Sequence, residues 1–300
     1  MKKSEPVSLL LLFLAALIWG VAFVAQSVGM EFVGPFTFNG ARFLLGGAVL
    51  LPFALIRQRK KEEILQDKRE EVRKQRKVTL LGGIFCGIAI FIASTFQQVG
   101  MQYTTVGKAG FITALYIVIV PFLGIFLGKK AASLVWFSAA LATVGFYFLC
   151  ITEGFVLEKG DIFIFLCAVS FSFHILIIDH FAPKADGVAL SCMQFLFSGI
   201  VSTVIALLKE KITISSLGQA ALPIAYAGIF SCGVAYTLQI LGQAKVKPTI
   251  ASLILSLEAV ISVLAGWLFL NETLTYRQLA GCGLVSLAVL LAQLPMKKIE

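Results

Sequence analysis

Charged residues are scarce in this 300-residue chain, where Asp, Glu, Lys and Arg together make up 14% and histidine occurs twice. Soluble domains carry about 25% charged residues and about 45–50% apolar ones. Here 59% of the residues are hydrophobic, and the mean hydropathy is +0.93. A water-soluble fold of this length has too little interior to bury so much apolar surface. The composition therefore predicts an integral membrane protein.

Motifs of catalysis and metal binding are also missing. No CxxC pair or Cys/His spacing suits a metal, and the six cysteines lie singly in apolar stretches, as small buried hydrophobic residues do. The chain contains no HExxH, GxSxG or GxxxxGK[ST] motif. We therefore predict no metal ion, no cofactor and no enzyme activity, ATP hydrolysis included.

Apolar runs of about 20 residues, the length that crosses a bilayer as an α-helix, are abundant. We count ten, joined by short connections and by one long charged segment, residues 57–77, predicted as a solvated loop with a short surface helix. The first run is too long for a signal peptide and is interpreted as a retained span. The predicted spans are 7–27, 35–56, 78–98, 104–127, 132–151, 161–179, 187–208, 219–241, 248–270 and 276–294.

Lysine and arginine are distributed unevenly between the connections. With a cytoplasmic N-terminus, the inner connections carry 19 of these residues and the outer connections carry 4. Because basic residues accumulate on the cytoplasmic side, the bias predicts cytoplasmic N- and C-termini in the plasma (inner) membrane of a bacterial type of cell. The net charge of +9 is explained by these basic connections, which could also contact anionic lipid. It therefore does not indicate nucleic-acid binding.

The chain also repeats itself weakly. A shift of 142 residues aligns the segment from Gly100 with the segment from Gly242 without gaps, and nearer the N-terminus the shift is 152. Two five-span halves result, residues 1–152, which include the charged loop, and residues 153–300. Because five is odd, the halves enter the membrane from opposite sides. Inverted repeats of this kind are typical of secondary transporters with a site near the midplane.

Three stretches carry a family resemblance, namely LIWGVAFVAQ with ARFLLGGAVLLP, GKAGFITALYIVIVPFLGIFLG, and LEAVISVLAGWLFLNETLTYRQLAGCGLV. In order and spacing they resemble the EamA-type members of the drug/metabolite transporter superfamily, over nearly the whole chain. The resemblance implies ten helices in inverted repeats, a cavity lined by spans 1, 3, 4, 6, 8 and 9, and export or exchange of small metabolites. The chain departs from the family at Asn271-Glu272, where Gly-Glu is common, and at Lys129-Lys130 in the first half.

Glu258 and Tyr116 are the first candidates for a substrate site. Each lies near the middle of its span, and the 142-residue shift makes them equivalents, so an inverted repeat lets them face one another. An ionisable residue inside the membrane indicates a functional site by default. We predict that both contact substrate and that Glu258 binds an amine or carries a proton. The structural alternative is a hydrogen-bonded link between helices.

Three other ionisable side chains fall within spans. Arg42 could bind a carboxylate or clamp neighbouring helices, and Lys108, close to the outer face, could bind substrate or reach outward to solvent. His174 could relay protons or hydrogen-bond a neighbouring helix.

Uncharged candidates complete the predicted site. Trp19 could stack on substrate or pack between helices. Gln97 and Gln239 are repeat equivalents that could line the mouths of the cavity or cap helix ends. Pro121 removes a backbone hydrogen bond in the fourth span and predicts a kink there.

These features together predict a secondary transporter that exports or exchanges small organic metabolites by alternating access, with amino acids or related zwitterions favoured. Efflux of drugs or cationic amines by the same fold is the alternative. A membrane enzyme would need clustered acids and histidines, and a sensor or scaffold would need an extramembrane module, for which 57–77 is too short. The predicted partners are a small-molecule substrate and the lipid bilayer, with no nucleic acid. The sequence leaves a homodimer, the substrate's identity and the coupling ion open.

Overall fold

The computed structural model describes residues 5–64, 69–128, 133–150, 159–271, 273 and 275–292. Regular structure in these residues is entirely helical. The elements are α1 (Glu5–Gly29), α2 (Pro35–Ile64), α3 (Arg69–Met101), α4 (Val106–Ala114), α5 (Tyr116–Phe126), α6 (Ser133–Cys150), α7 (Lys159–Phe181), α8 (Gly187–Lys209), α9 (Ile214–Gln219), α10 (Ala221–Ala225), a π-helix (Tyr226–Ala235), α11 (Tyr236–Gln243), α12 (Pro248–Leu255), α13 (Leu257–Leu270) and α14 (Tyr276–Ala292).

Eight helical segments of the described chain are long and apolar enough to cross a bilayer. Five of them are α1, α2, α3, α7 and α8, and three combine consecutive elements: α4 with α5, α10 through α11, and α12 with α13. Helices α6 and α14 contain shorter apolar stretches, Ser133–Phe148 and Tyr276–Leu291. The predicted class, an all-helical multi-pass membrane protein, is confirmed.

The charged segment at 57–77 differs from the predicted loop. Helix α2 continues to Ile64 and α3 begins at Arg69, so the described residues of the segment are helical extensions of two spans. Arg76 pairs with Glu62 at 2.8 Å, and the Lys61 ammonium bonds the Gln75 amide oxygen. These contacts join the two extensions, whose Lys, Arg, Glu and Gln residues are good helix formers.

The packing of the helices follows the sequence repeat. A Cβ atom built on Gly100 of α3 would lie 2.7 Å from the Ile164 side chain of α7. A Cβ atom on Gly242 of α11 would lie 2.9 Å from the Leu12 side chain of α1. The shifts of 142 and 152 residues convert the first contact into the second. The two halves therefore meet through equivalent contacts.

Helices α2 and α8 are equivalents that pack against each other in opposite directions. At the start of α2, the Glu210 carboxylate beyond the end of α8 accepts hydrogen bonds from Phe36 N at 2.9 Å and Thr37 N at 2.8 Å. At the other end, Asp186 caps the start of α8 and pairs with Arg57 of α2 at 3.3 Å. Because the start of each helix meets the end of the other, the pair is antiparallel.

Two of the predicted spans, the fourth and the ninth, are interrupted. Helices α4 and α5 are separated at Leu115, and α12 and α13 are separated at Ser256. The Ser256 hydroxyl donates to the Leu253 carbonyl at 2.7 Å, a local bond that competes with regular helix. Helix α5 runs on through Pro121, so the interruption of the fourth span precedes that proline by six residues. The kink at Pro121 stays a prediction.

Candidate functional site

Tyr116 and Glu258 meet between the two halves of the chain. Each follows an interruption, because Tyr116 is the first residue of α5 and Glu258 is the second residue of α13. The Tyr116 hydroxyl donates to Glu258 Oε1 at 2.8 Å, and the two residues are 3% and 5% exposed. Interrupted helices with polar side chains at the break are the usual construction of transporter sites. The structure thus brings this predicted pair into direct contact.

A small cavity of about 30 Å³ lies beside this pair, with room for about two water molecules. Its walls come from helices of both halves. Seven of the candidate residues line it, namely Trp19, Arg42, Gln97, Tyr116, His174, Gln239 and Glu258. The sequence interpretation missed Thr113, Phe171, Ser231 and Tyr236, which also line it. An organic substrate needs more space than this, so the helices must part to admit one.

Arg42 is a buried cation in the wall of this cavity, only 3% exposed. Its Nε donates to Asn39 Oδ1 at 3.0 Å, and its Nη1 donates to Gln26 Oε1 at 2.9 Å. The guanidinium carbon lies 4.9 Å from the centre of the Phe43 ring. Within the described residues Arg42 forms no ion pair, so neutral partners hold its charge in place. This arrangement ties α1 to α2 and leaves the guanidinium charge available to an anion.

The equivalent of Arg42 in the second half is Gln194, which bonds His174. His174 Nε2 lies 3.0 Å from Gln194 Oε1, and both residues are fully buried. His174 Nδ1 and Gln194 Nε2 have no hydrogen-bond partner among the residues described. Both halves therefore contribute buried polar groups near the candidate site, and the permanent cation, Arg42, belongs to the first half.

The remaining candidates have mixed surroundings. The Trp19 ring lies 4.5 Å from the Tyr236 ring, and its Nε1 has no partner within the described chain. Gln97 donates to Thr113 Oγ1 at 3.5 Å, whereas its equivalent, Gln239, has an unpartnered Oε1. These side chains offer hydrogen-bonding groups toward a region that aromatic rings otherwise dominate.

Lys108 lies apart from the cavity. Its Nζ is 2.7 Å from Asp161 Oδ2, and Asp161, near the start of α7, is only 3% exposed. Thr104 Oγ1 also lies 3.3 Å from Asp161 Oδ1. The ion pair joins α4 to α7, and Lys108 does not line the cavity beside Glu258. The described residues contain no group of three or more His, Cys, Asp or Glu that could hold a metal ion.

Two packed, similar halves enclose a buried carboxyl group and a cavity lined by aromatic and polar side chains. These features define a class, the multi-pass membrane transporters built from two homologous halves. The profile of the EamA-like transporter family matches residues 7–151 and again residues 158–294. The chain belongs to the EamA-like transporter family, within the drug/metabolite transporter superfamily. This confirms the membership that the sequence motifs indicate.

Related proteins agree with this membership. The chain is 33% identical over 285 residues to an uncharacterized transporter of Archaeoglobus fulgidus, covering 94% of this chain and 84% of the relative. It is 23% identical over 291 residues to the uncharacterized inner membrane transporter YedA of Escherichia coli (strain K12), covering 94% and 89%. A solved crystal structure with 20% identity covers 97% of both chains with a TM-score of 0.78, which shows the same fold.

A more distant relative has a named substrate. An S-adenosylmethionine/S-adenosylhomocysteine transporter of Chlamydia muridarum is 28% identical over 108 residues, which cover 36% of this chain and 30% of that protein.

Proposed function

We propose that the protein is a secondary transporter of small organic metabolites, with amino acids and related zwitterions favoured, that works by alternating access. The observation that carries the proposal is the buried Glu258 carboxyl group, bonded to its repeat equivalent Tyr116 beside a cavity between the halves. A carboxyl group at this depth is costly to keep in a membrane without a use. Membership of a transporter family supports the same function.

The proposed topology has ten spans, with α6 and α14 as the two shorter ones, in two inverted five-helix repeats over residues 1–152 and 153–300. The antiparallel packing of the equivalents α2 and α8 supports the inversion. The bias of lysine and arginine toward one set of connections supports cytoplasmic termini. YedA, a relative named an inner membrane transporter, supports location in the inner membrane.

Cysteine labelling in intact cells tests this topology. Lys211→Cys, after α8, is expected to react with a membrane-impermeant maleimide from outside, because this connection is proposed to be external. Lys184→Cys, before α8, is expected to react only after permeabilisation. The wild-type protein is the control for its native cysteines. Equal labelling of both variants in intact cells would overturn the orientation.

The chemistry of the cavity suits a zwitterion. Glu258 offers a carboxylate to an ammonium group, and Arg42, on the same cavity, offers a guanidinium to a carboxylate. Glu258 also supplies a means of coupling, because a proton and a substrate ammonium group compete for one carboxylate. Because the Glu258 carboxyl group binds either a proton or the substrate, but not both, protons and substrate would cross the membrane in opposite directions. His174 is a second candidate for proton transfer in this scheme.

An organic cation is the second candidate substrate. The aromatic rings of Trp19 and Tyr236 line the same cavity as Glu258, and such rings attract organic cations. The partial relative from Chlamydia muridarum transports S-adenosylmethionine, which is both a sulfonium cation and an amino acid. The candidate pool therefore includes methionine derivatives as well as simple amino acids and amines.

Flux through proteoliposomes tests the function. Vesicles are loaded with a mixed pool of labelled amino acids, S-adenosylmethionine and small amines, with and without an imposed pH gradient. We expect protein-dependent movement of one class of substrate. This movement should be faster when the imposed proton gradient is directed opposite to the movement of the substrate. Protein-free vesicles are the control. If no member of the pool moves, the zwitterion and cation proposals both fail.

A further inference from the structure

A second cavity lies away from the candidate transport site, between α2 and α3, with α8 as its floor. Its volume is about 280 Å³, and we call it the α2–α3 cleft. Its lining includes Leu51, Leu55, Lys61, Arg76, Leu80 and Met193. The three leucines are 39%, 46% and 48% exposed, so in a membrane this part of the cleft faces lipid.

The other end of the cleft is cationic. Lys61 and Arg76 line it at the point where the apolar spans give way to their charged helical extensions. Lys61 bonds the neutral Gln75 amide and forms no ion pair within the residues described. The Arg76 side chain is 52% exposed, and its Nη2 pairs with Glu62. With the Gln58 amide in its hydrogen-bonding orientation, Arg76 Nε donates to the Gln58 oxygen at 3.0 Å, so the Nη1 N–H groups remain for a further acceptor.

Asp186 is the carboxylate in the lining of the cleft, and its oxygens are already engaged. Oδ1 accepts hydrogen bonds from Val188 N and Ala189 N at the start of α8. Oδ2 faces Arg57 at 3.3 Å. The described parts of the two extensions, residues 57–64 and 69–77, carry nine basic and four acidic residues. The field at this end of the cleft is therefore positive.

We propose that the α2–α3 cleft binds one anionic phospholipid, with an acyl chain along the leucines and the phosphate between Lys61 and Arg76. The shared chemistry is that of a phosphate group, since basic pockets between membrane helices bind acidic headgroups. A free phosphate ion would leave the apolar wall uncovered, whereas a phospholipid matches both ends of the cleft. This site is separate from the cavity at Glu258, and the proposal does not depend on the transported substrate.

Native mass spectrometry of the purified full-length protein tests the site. Lipid retention is measured after mixing with phosphatidylglycerol or with phosphatidylcholine of the same acyl chains. The double variant Lys61→Gln/Arg76→Gln is expected to retain phosphatidylglycerol about 30-fold more weakly, from roughly 1 kcal/mol per basic residue. The matched control, Lys74→Gln/Lys77→Gln, removes equal charge from exposed positions outside the cleft and is expected to retain it normally.

A second variant separates shape from charge. Leu55→Trp fills the apolar wall at an exposed position without changing charge, and it is expected to lower retention of the lipid while thermal stability stays near that of wild type. If both double variants lost phosphatidylglycerol retention equally, the binding would reflect general attraction to the basic segment, and the proposal would be overturned. Equal retention of the two lipids would also overturn it. Displacement of the lipid by millimolar inorganic phosphate would indicate an ion site instead.

Discussion

Replacing Glu258 with glutamine is expected to lower transport by on the order of 10- to 100-fold, the worth of a hydrogen bond or ion pair to a charged group. Glutamine has nearly the same size, and its amide oxygen can still accept the Tyr116 hydroxyl, which now lies 2.8 Å from Glu258 Oε1. It cannot carry the negative charge or exchange a proton. The variant should therefore fold and reach the membrane while losing substrate flux and any response to a pH gradient.

Two further variants serve as controls for this experiment. Tyr116→Phe removes only the hydroxyl group that bonds Glu258, and we expect a smaller loss of flux with the response to a pH gradient retained. Glu31→Gln makes the same chemical change at an exposed residue between α1 and α2 and should leave flux unchanged. Wild-type flux in Glu258→Gln, at equal protein levels, would remove this residue from the site and leave it the role of a link between helices.

The contact between Glu258 and Tyr116 could be predicted because it depends on features that a sequence preserves. An acidic residue is conspicuous in an apolar run that crosses a membrane, and the 142-residue shift identifies its equivalent. If the halves are inverted, as proposed, equivalents near the middle of their spans come together. The same reasoning does not identify Thr113 or Ser231. Serine and threonine occur throughout membrane helices, so the sequence does not distinguish those that line a cavity from those that pack between helices.

The interruptions at Leu115 and Ser256 are not marked by a helix-breaking residue, although a serine can bond to the preceding turn as Ser256 does. Neither residue is glycine or proline, and the spans are apolar on every side, so no change of periodicity marks the break. Pro121 drew the prediction of a kink to a position six residues further on. The interruption of the ninth span occurs without a proline in α13, beside the local bond from the Ser256 hydroxyl to the Leu253 carbonyl.

The contacts of charged residues could not be predicted from the sequence at two places. Residues 57–77 have the composition of a solvated loop and equally of a solvated helix, and the difference depends on contacts such as Arg76 with Glu62, which pair distant positions. Lys108 was a candidate because it falls within a span. Its partner Asp161 lies in the first turn of a different helix, α7, and a single sequence without the fold gives no reason to pair the two residues.

Replacing Gly20 with alanine is expected to destabilise the protein by about 1–3 kcal/mol, the usual cost of overpacking. Gly20 of α1 packs against α13, and a Cβ atom there would lie 2.3 Å from Ile261 Cβ and 3.0 Å from the Glu258 carbonyl oxygen. Both atoms belong to the backbone or are bonded directly to it, so no side-chain rotation relieves the clash. Helix α1 must move away from α13, and thermal unfolding of the purified protein in detergent measures the cost.

Gly107→Ala is the matched control, because Gly107 of α4 also faces α13. A Cβ atom there would meet only Val263 Cγ2, at the ordinary contact distance of 3.5 Å, so the stability of this variant should equal that of wild type. Gly20 also adjoins Trp19, which lines the cavity, so the shift of α1 should lower flux in Gly20→Ala alone. If the two variants were equally stable, α1 and α13 would have to lie farther apart than the distances at Gly20 imply. In that case the volume of the cavity beside Glu258 would be larger than about 30 Å³.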